Sequence, residues 1–570
     1  MRYLALACDY DGTIAKHGTI AEETLAAMER LRATGRKIVL VTGRMLNDLL
    51  AILPRPELFD RIVAENGALL YRPVGREERV LAETPPAWFV NELRDKGVAP
   101  LAVGHVIIAT HASHDHTVLD AIRESGLELR MVYNQESLMV LPAEVGKGSG
   151  LQIALRELGM SPHEVVGIGN AENDHAFLGL CECSAAVADA APSLIEVVDV
   201  VTKGHDGAGV TELIDKLVKD DLRHVEPRLT RRHALLGNTH DGNPLYIPPY
   251  GGNVLIVGPS GSGKTTFAMA LLERLAEQSY QFIAIDPEGD YSRFEDAIEL
   301  GDFRRAPSVD EILRVLDNPD TDVSVNMLAI ALGDRPAFLE QLFPRLQSMR
   351  ARTGRPHWIL IDEAHHVWPA AWGPIALTFP QEVGELVLVT LHADEISPAI
   401  LKHIDYMVCV GPIPEASLAE FCRATGESVP AMETPPHPGE VLVWNRGAGH
   451  APRRVVPVPG RAEHLRHLRK YAEGNLHEKS FYFRGPGGRL NLRARNLITF
   501  IEIADGVDDA TWRYHLARGD YTRWFAEAVK DPALSSIAAD VAARSELTPR
   551  QSRALIAEAI AARYTLPARP

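Results

Sequence analysis

The chain has 570 residues, 46% of them hydrophobic and 24% charged, with a formal net charge of −17 and five cysteines. That length exceeds a single hydrophobic core and predicts several domains. The acidic balance argues against a wholly basic DNA-coating protein, no apolar run approaches a membrane span, and cysteines without metal spacing suit a reducing compartment. No basic leader precedes the first strand, so the expectation is a cytoplasmic protein without membrane contact.

From residue 2 to about 218, strand-like runs alternate with helical patterns, which predicts a parallel α/β sheet. The first apolar run, Leu4–Cys8, ends in Asp9, Asp11 and Gly12. A second, Val39–Val41, ends in Thr42–Gly43–Arg44, and Lys147 stands before a helical stretch. A third run, Val165–Gly169, ends in Asn170, Asn173 and Asp174. Ligands collect at the carboxyl ends of strands in such sheets, so these elements are expected to converge. Asp9 has the chemistry to attack phosphorus and form an aspartyl-phosphate, and Asp11 to act as acid and base. Thr42 and Lys147 would bind phosphoryl oxygens, and Asp174 would help hold Mg²⁺. Residues 72–142 break the rhythm with two helices and four short strands, which predicts a small α+β lid. Cys181 and Cys183 read as buried small residues.

Charges, prolines and glycines over 219–250 predict a linker. The apolar run Asn253–Val257 then enters Gly258–Pro259–Ser260–Gly261–Ser262–Gly263–Lys264–Thr265–Thr266, a phosphate-binding P-loop followed by a helical pattern. Gly258, Gly261, Ser262, Gly263, Lys264, Thr265 and Thr266 are its candidate ATP-binding residues, with Thr265 on Mg²⁺. The run Trp358–Ile361 ends in Asp362, expected in the Mg²⁺ shell, and Glu363, expected to polarise the attacking water. Thr390 and His392, after Leu386–Val389, are candidates for sensing the γ-phosphate. His366, His111, His114 and His116 read as surface histidines or as supports behind a site.

Residues 452–500 hold eleven Lys or Arg against three Asp or Glu, with Phe481, Tyr482 and Phe483 among them. Such a segment is suited either to a polyanion such as nucleic acid or to an acidic neighbouring face. The remainder, 461–570, is mainly helical in pattern. Its aromatic cluster around Trp512, His515, Asp520, Tyr521 and Trp524 predicts a small core.

The N-terminal motifs resemble those of the haloacid dehalogenase superfamily, specifically its Cof-type subclass IIB phosphatases. The resemblance covers about 1–218 and includes Ala64–Glu65–Asn66–Gly67–Ala68, with a cap at about 72–142. It implies Asp9 as nucleophile, Asp11 as acid/base, Thr42 and Lys147 as phosphate ligands, and Asp9, Asp11, Asn170 and Asp174 as metal ligands. The family usually has aspartate where this chain has Asn170, so weaker Mg²⁺ binding is expected. A working phosphatase of small sugar or organic-acid phosphates and a binding module without turnover both stay open. The second block, with Asp286–Tyr291 and Asp362–His365, resembles HerA/FtsK-like P-loop ATPases over about 230–457. Motors of that branch usually form rings completed by an arginine from a neighbour. This implies a homo-oligomer, with Arg345, Arg350, Arg352 and Arg355 as candidates that the sequence does not separate.

The expected organisation is an HAD-like domain at 1–218, a linker at 219–250, a RecA-like P-loop domain at 251–460 and a helical region at 461–570. The expected function is a bifunctional hydrolase of a small phosphorylated metabolite and of ATP. The alternative is an ATP-driven nucleic-acid motor with a sensory HAD module.

Overall fold

The computed structural model describes residues 1–563 except 135, 224, 226–227, 229, 292–293, 295–296, 372–383, 433–434, 438, 448, 450, 461–479 and 530. Residues 1–268 and 274–457 form one compact unit, and 269–273 with 458–570 form a second.

The first unit contains two large sheets. The N-terminal sheet has eight strands in the order Val200–Val201, Cys183–Ala186, Val165–Gly169, Ala5–Cys8, Lys37–Val41, Arg61–Ala64, Leu69–Arg72 and Glu77–Val80. The first six are parallel and the last two antiparallel. The central strands are apolar and almost wholly buried, as strands covered on both faces must be. Ala5–Cys8 lies between Lys37–Val41 and Val165–Gly169, so the three strand ends predicted to carry the first site are neighbours.

The insertion forms its own layer. Its sheet runs Leu129–Asn134, Ser137–Pro142, Ile108–His111, Ala102–Val103, with helices Ala87–Asp95 and Asp115–Ser125. Glu77–Val80, inside the span expected for the cap, instead pairs with Leu69–Arg72 and extends the main sheet. The fully buried Glu65 ties this layer down, its carboxylate accepting from the N–H groups of His105, Val106 and Ile107 at 2.9, 2.8 and 3.2 Å.

The second large sheet has eleven strands. Its parallel part centres on Val254–Val257, flanked by Leu386–Thr390 and Tyr406–Val410, with Trp358–Ile361 beyond Leu386–Thr390. The stretch read as a linker contributes two of the strands. Ala234–Thr239 and Pro244–Ile247 pair antiparallel, and the first adds to Arg453–Pro457 at the sheet edge. Its Gly and Pro residues mark a hairpin turn and an edge strand, where proline is tolerated.

Within this unit the two sheets meet through buried polar groups. Glu164, just before Val165–Gly169, lies 3.1 Å from His357 Nε2, just before Trp358–Ile361. Gln281 N–H donates to His357 Nδ1 at 2.8 Å, so the ring proton sits on Nε2 and is donated to Glu164. His163 lies 2.7 Å from both Glu182 Oε2 and the Gln278 carbonyl, and its ring stacks on Tyr280 at 3.7 Å. Burial opposes ionisation of Glu182, but bonds from His163 and Tyr280 and the charge of Arg2 bring its carboxyl down to about 2. Glu164 is less compensated. Burial pushes its carboxyl up to about 8, against Arg355 and the Ser161 N–H.

In the second unit, the hairpin Phe481–Phe483/Leu492–Ala494 and the helices from Leu497–Gly506 to Pro549–Arg563 surround an aromatic core. Trp512, Tyr521 and Trp524 are buried in it, as their spacing predicted. His515 accepts from Arg484 N–H at 3.0 Å and faces Asp520 at 2.9 Å. Of the basic stretch 452–500, residues 461–479 lie outside the described residues. No described helix is long and apolar enough to cross a membrane.

The raised Glu164 carboxyl fixes a sign for stability. It favours the folded state fully below its unfolded value of 4.5 and loses that contribution as pH rises toward about 8. Glu164→Gln is therefore expected to melt closer to wild type at pH 5 and gain on it steadily toward pH 8, read by thermal denaturation across pH.

Candidate active sites

At the first site, Asp9, Lys147 and Asp174 are 4, 2 and 0% exposed, so their charges must compensate one another. Lys147, at the start of helix Lys147–Glu157, donates to Asp9 Oδ1 and to Asp174 Oδ1, both at 2.6 Å. Burial would lower the lysine's basicity, but Asp174 and Asp9 outweigh it and hold its ammonium above its ordinary range. Burial and Asp174 push the Asp9 carboxyl up to about 7 against the pull of Lys147. The donor set is thus short of positive charge. Asp174 Oδ2 accepts from the N–H groups of Asn170 and Ala171 at 2.9 Å each, so both of its oxygens are engaged.

Thr13 Oγ1 lies 3.2 Å from Asp9 Oδ2 and 3.1 Å from Asn170 Oδ1, so both oxygens face the same hydroxyl. Gly12 is required beside it: its φ is +73°, and a Cβ there would collide with the Asn170 amide. Asp11 points elsewhere. Arg44 clasps it through two bonds of 2.7 Å, from Nε to Oδ2 and from Nη2 to Oδ1. Thr42 is buried, and its hydroxyl accepts from the Arg44 N–H at 3.2 Å. Two residues without an assigned role join the site. Arg44 was legible only as the end of Thr42–Gly43–Arg44. Asn173 has both amide atoms buried without a partner among the described residues, and its Nδ2 would lie 4.0 Å from a Cβ on Gly43.

The second site also assembles from neighbouring strand ends. Lys264, at the start of helix Lys264–Glu277, donates to the Pro259 carbonyl at 3.2 Å, folding its ammonium back over the loop. Gly258 has no room for a Cβ, which would strike the Val410 carbonyl, and Gly263 takes a φ of +102°. Thr265 Oγ1 stands 3.5 Å from Asp362 Oδ2, across the two strands predicted to share the metal. Burial first, then Glu363, Asp286 and Asp290, push the Asp362 carboxyl up to about 7, despite the Glu363 N–H it accepts. Glu363 has a φ of +42°, a strained conformation for a side-chain-bearing residue and one that concentrates at functional sites. Burial also raises its carboxyl.

Most of the other candidate residues have partners of their own. Thr390 is buried and lies 3.1 Å from His365 Nδ1, and burial with His366 and His392 brings His365 down to about 4. His392 is exposed and faces Glu420 at 3.4 Å. Asp286 accepts from the N–H groups of Glu288, Gly289, Asp290 and Tyr291, so it shapes its turn. Arg350 and Arg355 are not free for a neighbour. Arg350 bonds the carbonyls of Pro356, His357 and Gly384, and Arg355 those of Gly159 and Leu316. Arg345 pairs with Asp310 at 2.6 Å, and Arg352 is exposed. All five cysteines are free and buried.

With this geometry in hand, the comparisons with known proteins divide the chain in the same way. Residues 6–85 and 101–214 match the haloacid dehalogenase-like hydrolases, and residues 226–383 match the AAA ATPase domain. A phosphoglycolate phosphatase of Methanothermobacter thermautotrophicus is 31% identical over 224 residues, covering 38% of this chain and 98% of that protein. Phosphoglycolate phosphatase 2 of Saccharolobus solfataricus is 28% identical over 229 residues, covering 38% and 94%. The chain belongs to the haloacid dehalogenase-like hydrolases, with a AAA ATPase domain fused behind the phosphatase domain.

The two lysines predict unequal stability effects. Lys147→Met strands two buried carboxylates and should cost about 3 kcal/mol, part of which returns when Asp174→Asn is added. Lys264→Ala touches no carboxylate and should leave urea denaturation within about 0.5 kcal/mol of wild type.

Proposed function

We propose that the chain is a bifunctional hydrolase. Its first site is a Mg²⁺-dependent phosphomonoesterase of the subclass IIB type, acting on a small organic-acid or sugar phosphate. Its second site hydrolyses ATP. The observation that carries the first reading is Lys147 bridging Asp9 and Asp174 at 2.6 Å where three parallel strands end. The phosphoglycolate phosphatases among its relatives favour an organic-acid phosphate.

In this reading an Asp9 oxygen attacks phosphorus while the ester oxygen leaves with a proton from Asp11. Asp11 then takes a proton from the water that opens the aspartyl-phosphate. For both steps Asp11 must leave Arg44, which therefore acts as a latch on the acid/base. Lys147, the Thr42 hydroxyl and the Asn173 amide bind the phosphoryl oxygens. The convergent Asp9 and Asn170 oxygens, in a site short of positive charge, fit a hard cation. They would hold Mg²⁺, which when bound supplies charge neutralisation at the phosphoryl group. Asp174 supports from behind, through Lys147 and the backbone of 170–171.

At the second site the P-loop backbone from Gly258 to Thr266 and Lys264 take the ATP phosphates. Thr265 and Asp362 would hold Mg²⁺, and Glu363 polarises the attacking water. The HerA/FtsK-like assignment, with a ring and a nucleic-acid partner, draws on the Asp286–Tyr291 turn and the basic stretch. Phosphate release from a panel of phosphomonoesters is expected to vanish in Asp9→Asn and persist in Lys264→Ala, whereas ATP hydrolysis shows the reverse. Ester turnover retained in Asp9→Asn would remove the nucleophile from this scheme.

One observation favours a second reading, in which the phosphatase domain senses a phosphorylated ligand and gates the ATPase. Glu164 and His357 join the starts of the strands that lead to Asn170 and Asp362. That reading predicts an ATPase rate that responds to 2-phosphoglycolate in wild type and ceases to respond in His357→Ala. An ATPase indifferent to the ligand counts against it.

A further inference from the structure

The cap presents an apolar face to the core with one permanent charge on it. Arg130 stands opposite Leu141, Val132 opposite Met139, and Met139 opposite Ala109, and directly opposed residues share a face. Met139 and Leu141 cluster with Val106, Ile107, Val145 and Ala68, so this face is turned to the core. Met139 Cε lies 3.1 Å from where a Cβ on Gly43 would stand, which roofs the Thr42–Arg44 turn. Among the residues of Ile108–His111, Leu129–Asn134 and Ser137–Pro142 on this face, Arg130 is the lysine or arginine.

Its guanidinium reaches the backbone just before Lys147. Nη2 donates to the Val145 carbonyl and lies 2.6 Å from the Cβ position of Gly146, the residue before Lys147. The strand that carries it also runs against Glu172–Asp174. That single backbone bond uses one of the five N–H groups of an arginine, and no carboxylate among the described residues pairs with it. Arg130 is exposed, as a group that meets incoming ligand must be.

We propose that Arg130 is the specificity-determining residue of the phosphatase site, binding a carboxylate carried by the same small molecule whose phosphate enters at Lys147. The planar guanidinium matches a carboxylate through paired N–H donors, which a sugar hydroxyl does not exploit. Because Arg130 approaches one residue from Lys147, the class it selects is a short phosphorylated hydroxy acid. The inference rests on the phosphatase reading above.

The test compares 2-phosphoglycolate with ethylene glycol monophosphate, an ester of the same length that lacks the carboxylate, using full-length protein. In wild type the kcat/KM ratio should favour the acid. Arg130→Gln should lower that ratio about 30-fold or more through KM, and Arg130→Lys should recover part of it. A ratio that stays constant in Arg130→Gln, whether both rates fall or neither does, overturns the proposal. Calorimetric titration of 2-phosphoglycolate into the Asp9→Asn protein, with and without Arg130→Gln, separates the two ideas. Binding that weakens with Arg130→Gln, alongside a wild-type protein that turns over no ester, upholds Arg130 and sinks the phosphatase reading. Equal binding sinks the assignment of Arg130.

Discussion

Buried negative charge is the constraint around which this chain is built. Parallel sheets gather ligand-binding side chains at their carboxyl ends, and here those side chains are carboxylates in places that water barely reaches. At the first site the protein answers with Lys147, itself buried, which holds Asp9 and Asp174 together. The lysine is a structural cation before any substrate arrives. At the second site Lys264 rests on a backbone carbonyl, and Asp362 is left with a raised carboxyl. Two lysines read alike from sequence, as phosphate ligands, therefore carry different loads in the fold.

The same constraint shapes the meeting of the two sheets. Glu182 is kept ionised by His163, Tyr280 and Arg2, whereas burial of Glu164 outweighs the charge of Arg355 and the Ser161 N–H and pushes it toward its neutral form. Buried polar contacts of this kind are costly when half made, so they hold one relative placement of the sheets. Strands Val165–Gly169 and Trp358–Ile361 meet at their starts through Glu164 and His357.

Much of the first site was legible because its chemistry is local. An apolar run ending in Asp9 and Asp11, and another ending in Asn170 to Asp174, each announce a strand and its loaded end. The P-loop and the Asp362–Glu363 pair are equally local. What the sequence hid were pairings made across the fold. Arg44 on Asp11, Glu65 on the cap loop, and Arg355 and Arg350 on backbone carbonyls join residues tens to hundreds of positions apart. Arginine in a sequence looks the same whether it will face a neighbouring subunit or fill a hole. Ala234–Thr239 and Pro244–Ile247 were misread as linker because edge strands tolerate the turn-forming residues that usually mark loops.

The sequence by itself determined the order of elements, the division into phosphatase-like and P-loop halves, and the residue types at both sites, since these depend on neighbours a few positions away. Tertiary structure alone decided which charges meet. It placed Lys147 between two aspartates, turned Asp11 onto Arg44, left the Asn173 amide without a partner among the described residues, and set Arg130 against the backbone just before Lys147. Burial and pairing of charge are properties of surfaces brought together by folding, and short-range pattern does not encode them.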